Sequence, residues 1–127
     1  IIASTKYYNI IRLMSGSKEG PMNIQFKKGA LDLCVLALLS RKDCYGFELA
    51  STVSRHVDIS EGTVYPLLKR LKDDALVGPY LQESNEGPPR KYYMLTPGGQ
   101  THYQDLLEQW RMFTRSVDDI IEGRDES

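Results

Sequence analysis

The residues of this chain best suited to chemistry fall within one short stretch: Ser60, Thr63, Tyr65, Pro66, Lys69 and Arg70. Hydroxyl groups can hydrogen-bond phosphate oxygens and base edges, and Lys or Arg neutralises backbone charge. A helix starting at Glu61 would turn by about 100° per residue and gather Val64, Leu67, Leu68 and Leu71 into one narrow apolar stripe. Its opposite face then carries Gly62, Thr63, Tyr65, Pro66, Lys69 and Arg70. A proline inside the first two turns removes a backbone hydrogen bond, so stability is expected to be given up on this outer face. A local rule broken on a solvent-facing surface marks a functional site.

Other chemistries find no support. His56 and His102 have no cysteine or acidic partners at ligand spacing, so no metal is expected. Two cysteines supply neither a disulfide framework nor a four-ligand zinc site, and Cys34, inside an apolar run, is expected to be a small buried thiol. No Ser/His/Asp, Cys/His or phosphate-cradling glycine pattern occurs. Asp73-Asp74 is expected at the exposed end of the outer-face helix, and Gly98-Gly99 at a helix start. Neither an enzyme nor a bound cofactor is expected.

The elements that would position the stretch are legible around it. Residues 27–40 are apolar nearly all round, the pattern of a helix in the middle of a small bundle. Residues 45–56 place Gly46, Leu49, Ala50 and Val53 on one helical face. Ser60 is positioned to cap the third helix, expected over residues 61–75. After Leu76 the period changes to that of a two-stranded ribbon, residues 77–83 and 90–95, joined by a turn at residues 84–89. Thr96-Pro97 then marks a fresh helix start, and that helix is expected to run to about Glu122. Its apolar residues Tyr103, Leu106, Trp110, Phe113, Val117 and Ile120 are spaced as an a/d heptad seam, widened by Leu107 and Ile121.

The chain has 127 residues, enough for one compact domain with an appended helix. Its longest strongly apolar run, residues 33–39, is too short to span a bilayer, so no membrane partner and a cytoplasmic location are expected. The net charge of −1 is unevenly distributed. Residues 1–21 carry three Lys/Arg against one acid, residues 22–95 ten against nine, and residues 96–127 three against seven. Any nucleic-acid contact therefore belongs to the first three quarters. Residues 1–21 differ in pattern from the rest, and Lys18-Glu19-Gly20 can be encoded by a purine-rich stretch resembling a ribosome-binding site. Met22 is accordingly expected to be the true start, with residues 1–21 an extension, residues 22–95 a DNA-binding domain and residues 96–127 a dimerisation helix with an acidic tail. A genuine flexible arm is the alternative, and intact-mass analysis of the native product distinguishes the two.

Three helices followed by a two-stranded ribbon is the order of a winged helix-turn-helix, mostly α with a small β wing, whose third helix enters the major groove. On this reading Arg90, Lys91 and Tyr92 form the wing's contribution beside the third helix. The run Ile59-Ser60-Glu61-Gly62-Thr63-Val64-Tyr65-Pro66-Leu67-Leu68-Lys69-Arg70-Leu71 resembles the recognition-helix motif of PadR-family regulators. Gly87-Pro88-Pro89-Arg90-Lys91-Tyr92-Tyr93-Met94-Leu95-Thr96 is similar to the wing of that family, and Tyr45-Gly46 to its second-helix opening. The resemblance covers residues 22 to about 99. It implies a homodimeric repressor that binds inverted-repeat operators in double-stranded DNA and is released by a small effector.

The single helix after the wing resembles the short PadR subgroup, whose multidrug-sensing members sandwich aromatic drugs between paired tryptophans at the dimer interface. Trp110, with Leu106 and Phe113 beside it, stands where that tryptophan would be. Two readings of Trp110 stay open, a ligand-binding ring or a ring that merely packs the dimer. Tyr103, Leu107, Val117, Ile120 and Ile121 are expected to complete the dimer interface. A rival to DNA binding also stands: an interaction module whose winged helix contacts protein, consistent with the near-neutral charge. A small hydrolase is a weaker rival for which no residue argues.

Overall fold

The computed structural model describes residues 21–126, with side chains from Gly29 onward. The expected N-terminal extension lies outside the described residues except for Pro21. The first helix, α1, spans Pro21–Arg41 and so begins earlier than its apolar run predicts. Proline at the first helical position loses no hydrogen bond and has its φ already set. As the all-round apolar pattern predicts, no position from Ala30 to Leu39 is fully exposed, and Ala30, Leu31, Val35, Leu36 and Leu39 enter the core.

The next segment departs from the expectation. Cys44–Tyr45 forms a short strand, β1, and the second helix, α2, spans Gly46–Val57. Tyr45 precedes the helix in extended conformation, and its N–H donates to the Glu48 carboxylate at 3.3 Å. Leu49, Ala50, Val53 and Val57 are the buried stripe of α2. A 3-10 turn at Glu61–Thr63 leads into α3, Val64–Asp73, whose buried residues are Val64, Leu67, Leu68 and Leu71. Pro66 therefore stands in the first turn of the α-helix, where a backbone donor has no intrahelical partner. The expected cost of Pro66 is removed by the tighter turn before it.

Helix α3 closes on Ala75, which adopts φ 60°. The Leu76 N–H donates to the Leu71 carbonyl and the Ala75 N–H to the Lys72 carbonyl, both at 2.9 Å. This is the Schellman arrangement with alanine where glycine is usual.

Strands β2, Val77–Ser84, and β3, Gly87–Leu95, pair antiparallel, and β1 adds to the far side of β3, giving the order β1-β3-β2. The wing is thus three-stranded, because Cys44 and Tyr45 pair with Tyr93 and Tyr92. The turn expected over residues 84–89 is also shorter. Ser84 pairs with Gly87, leaving Asn85 and Glu86 at the tip, and the register shifts between Gln82 and Ser84. Pro88 and Pro89 lie in β3 beyond the reach of β1. There a missing N–H on that side costs no ladder bond.

The last helix, α4, spans Pro97–Ile121. Its cap is as the sequence predicts: the Thr96 hydroxyl accepts the Gly99 N–H at 2.9 Å, with Pro97 at the first position. Gly99 is required by space. A Cβ there would stand 1.9 Å from the Leu76 carbonyl oxygen and 2.8 Å from Leu95 Cδ1. This contact seats α4 against the α3–β2 junction and returns it across α1.

Candidate nucleic-acid interface

The proposed recognition segment presents Glu61, Gly62, Thr63, Tyr65, Pro66 and Lys69 to solvent, opposite the buried leucines of α3. Ser60 takes the extended conformation of a cap residue, but its side chain caps no backbone N–H. Its hydroxyl lies 2.9 Å from that of Thr63, so the two hydroxyls are mutually oriented at the head of the segment. Tyr65 is 45% exposed, with one ring edge against Gly46, where a Cβ would approach Tyr65 Cε1 to 3.4 Å and Tyr93 Cε1 to 3.7 Å. A glycine at the start of α2 thus lets the ring rest between recognition segment and wing.

The two basic residues of α3 separate in role. Lys69 is exposed and makes only an i,i+4 contact with Asp73 at 3.1 Å. Arg70 is turned inward. Its guanidinium meets the Asp32 carboxylate of α1 at 2.5 Å, and Asp32 is the one charged residue among the described residues that are buried. Sequence spacing placed Arg70 on the outer face with Lys69. The structure ties it instead across residues 38 apart in the chain, a pairing that helical periodicity does not encode.

The wing residues divide in the same way. Arg90 and Lys91 point to opposite faces of β3, as strand alternation requires. The Lys91 ammonium lies 5.9 Å from the Tyr93 ring centroid, on the core side. The Arg90 guanidinium lies 4.7 Å from the Tyr45 ring centroid on the outer side. Tyr92 is half-buried between Tyr45 and Tyr80, at centroid distances of 5.6 and 5.8 Å. The Tyr80 hydroxyl donates to the Asp43 carboxylate at 2.7 Å. That bond pushes the phenol up to about 12, since ionisation would set two negative charges side by side. Tyr45, Tyr80 and Asp43 join the candidate interface through strand pairing and a hydrogen bond across the sheet, and the two residues of β1 are too few to announce a strand in the sequence.

The apolar seam of α4 is also divided. Tyr103, Leu106 and Trp110 pack against the core of their own chain, contrary to a seam serving only a partner helix. Thr114 is buried below them, whereas Met112, Phe113, Ile120 and Ile121 are more than half exposed. Leu106, Trp110 and Phe113 line an open apolar recess of about 280 Å³ with Gly29, Ala30, Leu33 and Gln109. Leu107 and Trp110 also border a groove of about 570 Å³ between α1 and α4. Val117 is half-buried beyond it. Among the described residues no cluster of metal-ligating side chains occurs, and no helix is long and apolar enough to cross a membrane.

Comparison with known proteins places this geometry. Residues 35–105 match the model of the transcriptional regulator PadR-like family. The PadR-like transcriptional regulator BC4206 of Bacillus cereus superposes with a TM-score of 0.70 at 34% identity, covering 76% of this chain and 96% of that one. The smu.1704 protein of Streptococcus mutans gives 0.72 at 35% identity, over 76% and 91%. The transcriptional regulator Rv3488 of Mycobacterium tuberculosis is 30% identical over 101 residues, which is 79% of this chain and 91% of that protein. The Bacillus cereus and Mycobacterium tuberculosis proteins are transcriptional regulators and not enzymes, and the three helices, wing and C-terminal helix match the winged fold of the superposed structures. The chain belongs to the PadR-like family of transcriptional regulators.

Proposed function

We propose that the chain is a cytoplasmic homodimeric repressor that reads an inverted-repeat operator in double-stranded DNA and leaves it when a small aromatic effector binds at the dimer interface. The observation that carries this reading is the exposed row formed by Thr63 at the head of α3 and Tyr65, Pro66 and Lys69 along one side of it, beside a wing that carries Arg90 and Lys91. An exposed helix face of hydroxyls and a cation is suited to a major groove, and flanking cations are suited to phosphates. Ser60 orients the Thr63 hydroxyl, and Tyr92 packs between Tyr45 and Tyr80 on the outward face of the wing.

Dimerisation is supported by the apolar side chains that α4 leaves uncovered, Phe113, Ile120 and Ile121. Two such helices pairing would fix the separation of the two α3 helices, which must be about 34 Å to read successive major grooves. The effector reading rests on Trp110, Leu106 and Phe113 sharing one recess open to solvent. An aromatic compound there weakens DNA binding if it prefers a dimer of different separation, by its differential affinity for the two states.

Fluorescence anisotropy on DNA from the protein's own upstream region, against random DNA and across salt, tests the reading. A specific excess of about 10³-fold or more establishes a sequence-reading regulator. Equal, weak binding to both DNAs overturns it and directs the search to protein partners.

A further inference from the structure

The outward face of the wing carries an aromatic row that does not belong to the hydrophobic core. Tyr45 of β1, Tyr92 of β3 and Tyr80 of β2 are cross-strand neighbours, since Tyr92 is the register partner of both others. Tyr80 and Tyr92 stack with planes 24° apart, and Tyr45 tilts against Tyr92 at 50°. One end of the row is anchored by the hydrogen bond from Tyr80 to Asp43. The other end carries the Arg90 guanidinium over the Tyr45 ring. Among the described residues the buried hydrophobic set is aliphatic apart from Cys44 and Tyr93, so these three rings are not needed to fill the interior.

A guanidinium stacked on a ring keeps its N–H edge available while losing rotamer freedom, and its preference for the ring face is not shared equally by an ammonium. An arginine at the rim of a DNA-contacting surface otherwise spends conformational entropy each time it meets a phosphate. We propose that the Asp43–Tyr80–Tyr92–Tyr45 row is a support that pre-sets Arg90 for a DNA phosphate, with Tyr45 as the positioning residue. The inference rests on the DNA-reading function proposed above, and it adds β1, outside the helix-turn-helix proper, to the binding surface. It also accounts for the third strand: without the pairing of Tyr45 with Tyr92, the ring would not lie beneath residue 90.

The test is anisotropy on the upstream DNA, across salt, with wild type, Arg90→Lys, Tyr45→Leu, Tyr45→Phe and the Tyr45→Leu/Arg90→Lys double variant. Wild type is expected to bind about threefold more tightly than Arg90→Lys, the size of an exposed cation–π contact. Tyr45→Leu should weaken binding by a similar factor, and Tyr45→Phe, which keeps the ring, should restore it. In the Tyr45→Leu background, arginine and lysine at position 90 should bind equally, because the ring that distinguished them is gone. A generally loosened wing would instead leave the arginine preference intact while lowering both affinities, and that result overturns the proposal. Equal binding of wild type and Arg90→Lys overturns it also, even if Tyr45→Leu misfolds. Failure of wild type to prefer its own upstream DNA overturns the repressor reading and this proposal together, whereas an intact preference with no arginine effect removes only the latter.

Discussion

Arg70 and Asp32 join the recognition segment to the first helix through a contact of 2.5 Å, with the carboxylate 12% and the guanidinium 35% exposed. Lys69, the adjacent residue, is 74% exposed and holds only a surface partner. Two neighbouring cations of one motif therefore do different work, and substitutions at the two should separate cleanly. Lys69→Ala is expected to weaken operator and random DNA alike and reduce the slope of log affinity against log salt by about 0.9, with stability changed by no more than about 0.5 kcal/mol. Arg70→Ala leaves a buried carboxylate unpaired and is expected to cost about 1–3 kcal/mol of stability. Urea unfolding of the two variants checks this. An Arg70→Ala protein as stable as wild type would mean that the guanidinium faces solvent.

The two Schellman closures give an internal comparison. Gly123, at φ 78°, closes α4, while Ala75, at φ 60°, closes α3 with the same pair of hydrogen bonds. An alanine held left-handed meets its own Cβ, and glycine does not. Ala75→Gly is therefore expected to stabilise the fold by about 0.5–1 kcal/mol, net of the greater freedom of the unfolded chain. The urea midpoint should rise with an unchanged slope, and a fall would show that the left-handed turn is not formed in solution.

Exposed apolar residues of α4 predict the assembly. Ile120 and Ile121 are 68% and 59% exposed within one chain, while Trp110 packs against its own core. Ile120→Glu is expected to convert the proposed dimer to a monomer at micromolar concentration with the helical circular dichroism signal retained, as light scattering after gel filtration would show. Trp110→Ala should lower the thermal midpoint as well, through loss of packing within the chain. A dimer unaffected by Ile120→Glu would move the interface off the end of α4.

Burial pushes the Cys34 thiol up to about 11. The folded value stands above the unfolded one, so the neutral thiol's contribution to stability is complete below pH 9 and is lost as pH rises through about 11. Wild type should lose stability in that window faster than Cys34→Ala when urea midpoints are compared from pH 8 to 11. Alkylation of Cys34 at neutral pH should be slow in the native protein and fast in urea. Parallel pH profiles for the two proteins would place the thiol in water.

The sequence by itself determined the features that local spacing encodes. The buried stripes of α2 and α3, the Thr96-Pro97 start of α4 and the all-round apolar α1 are each set within a few turns, where periodicity and capping act directly. The exposed row Thr63, Tyr65, Pro66 and Lys69 was legible for the same reason. Only the tertiary structure decided what depends on distant pairing. β1 is two residues long and exists because β3 supplies its partners; no two-residue pattern announces a strand. Arg70 turned inward because α1 presents Asp32 to it, and a carboxylate removed from water needs a partner more than an outer-face cation needs solvent. Tyr103, Leu106 and Trp110 faced their own core because the Gly99 contact with Leu76 fixes the angle at which α4 returns across α1. A heptad seam records that a helix face will be covered, and the path of the chain decides by what.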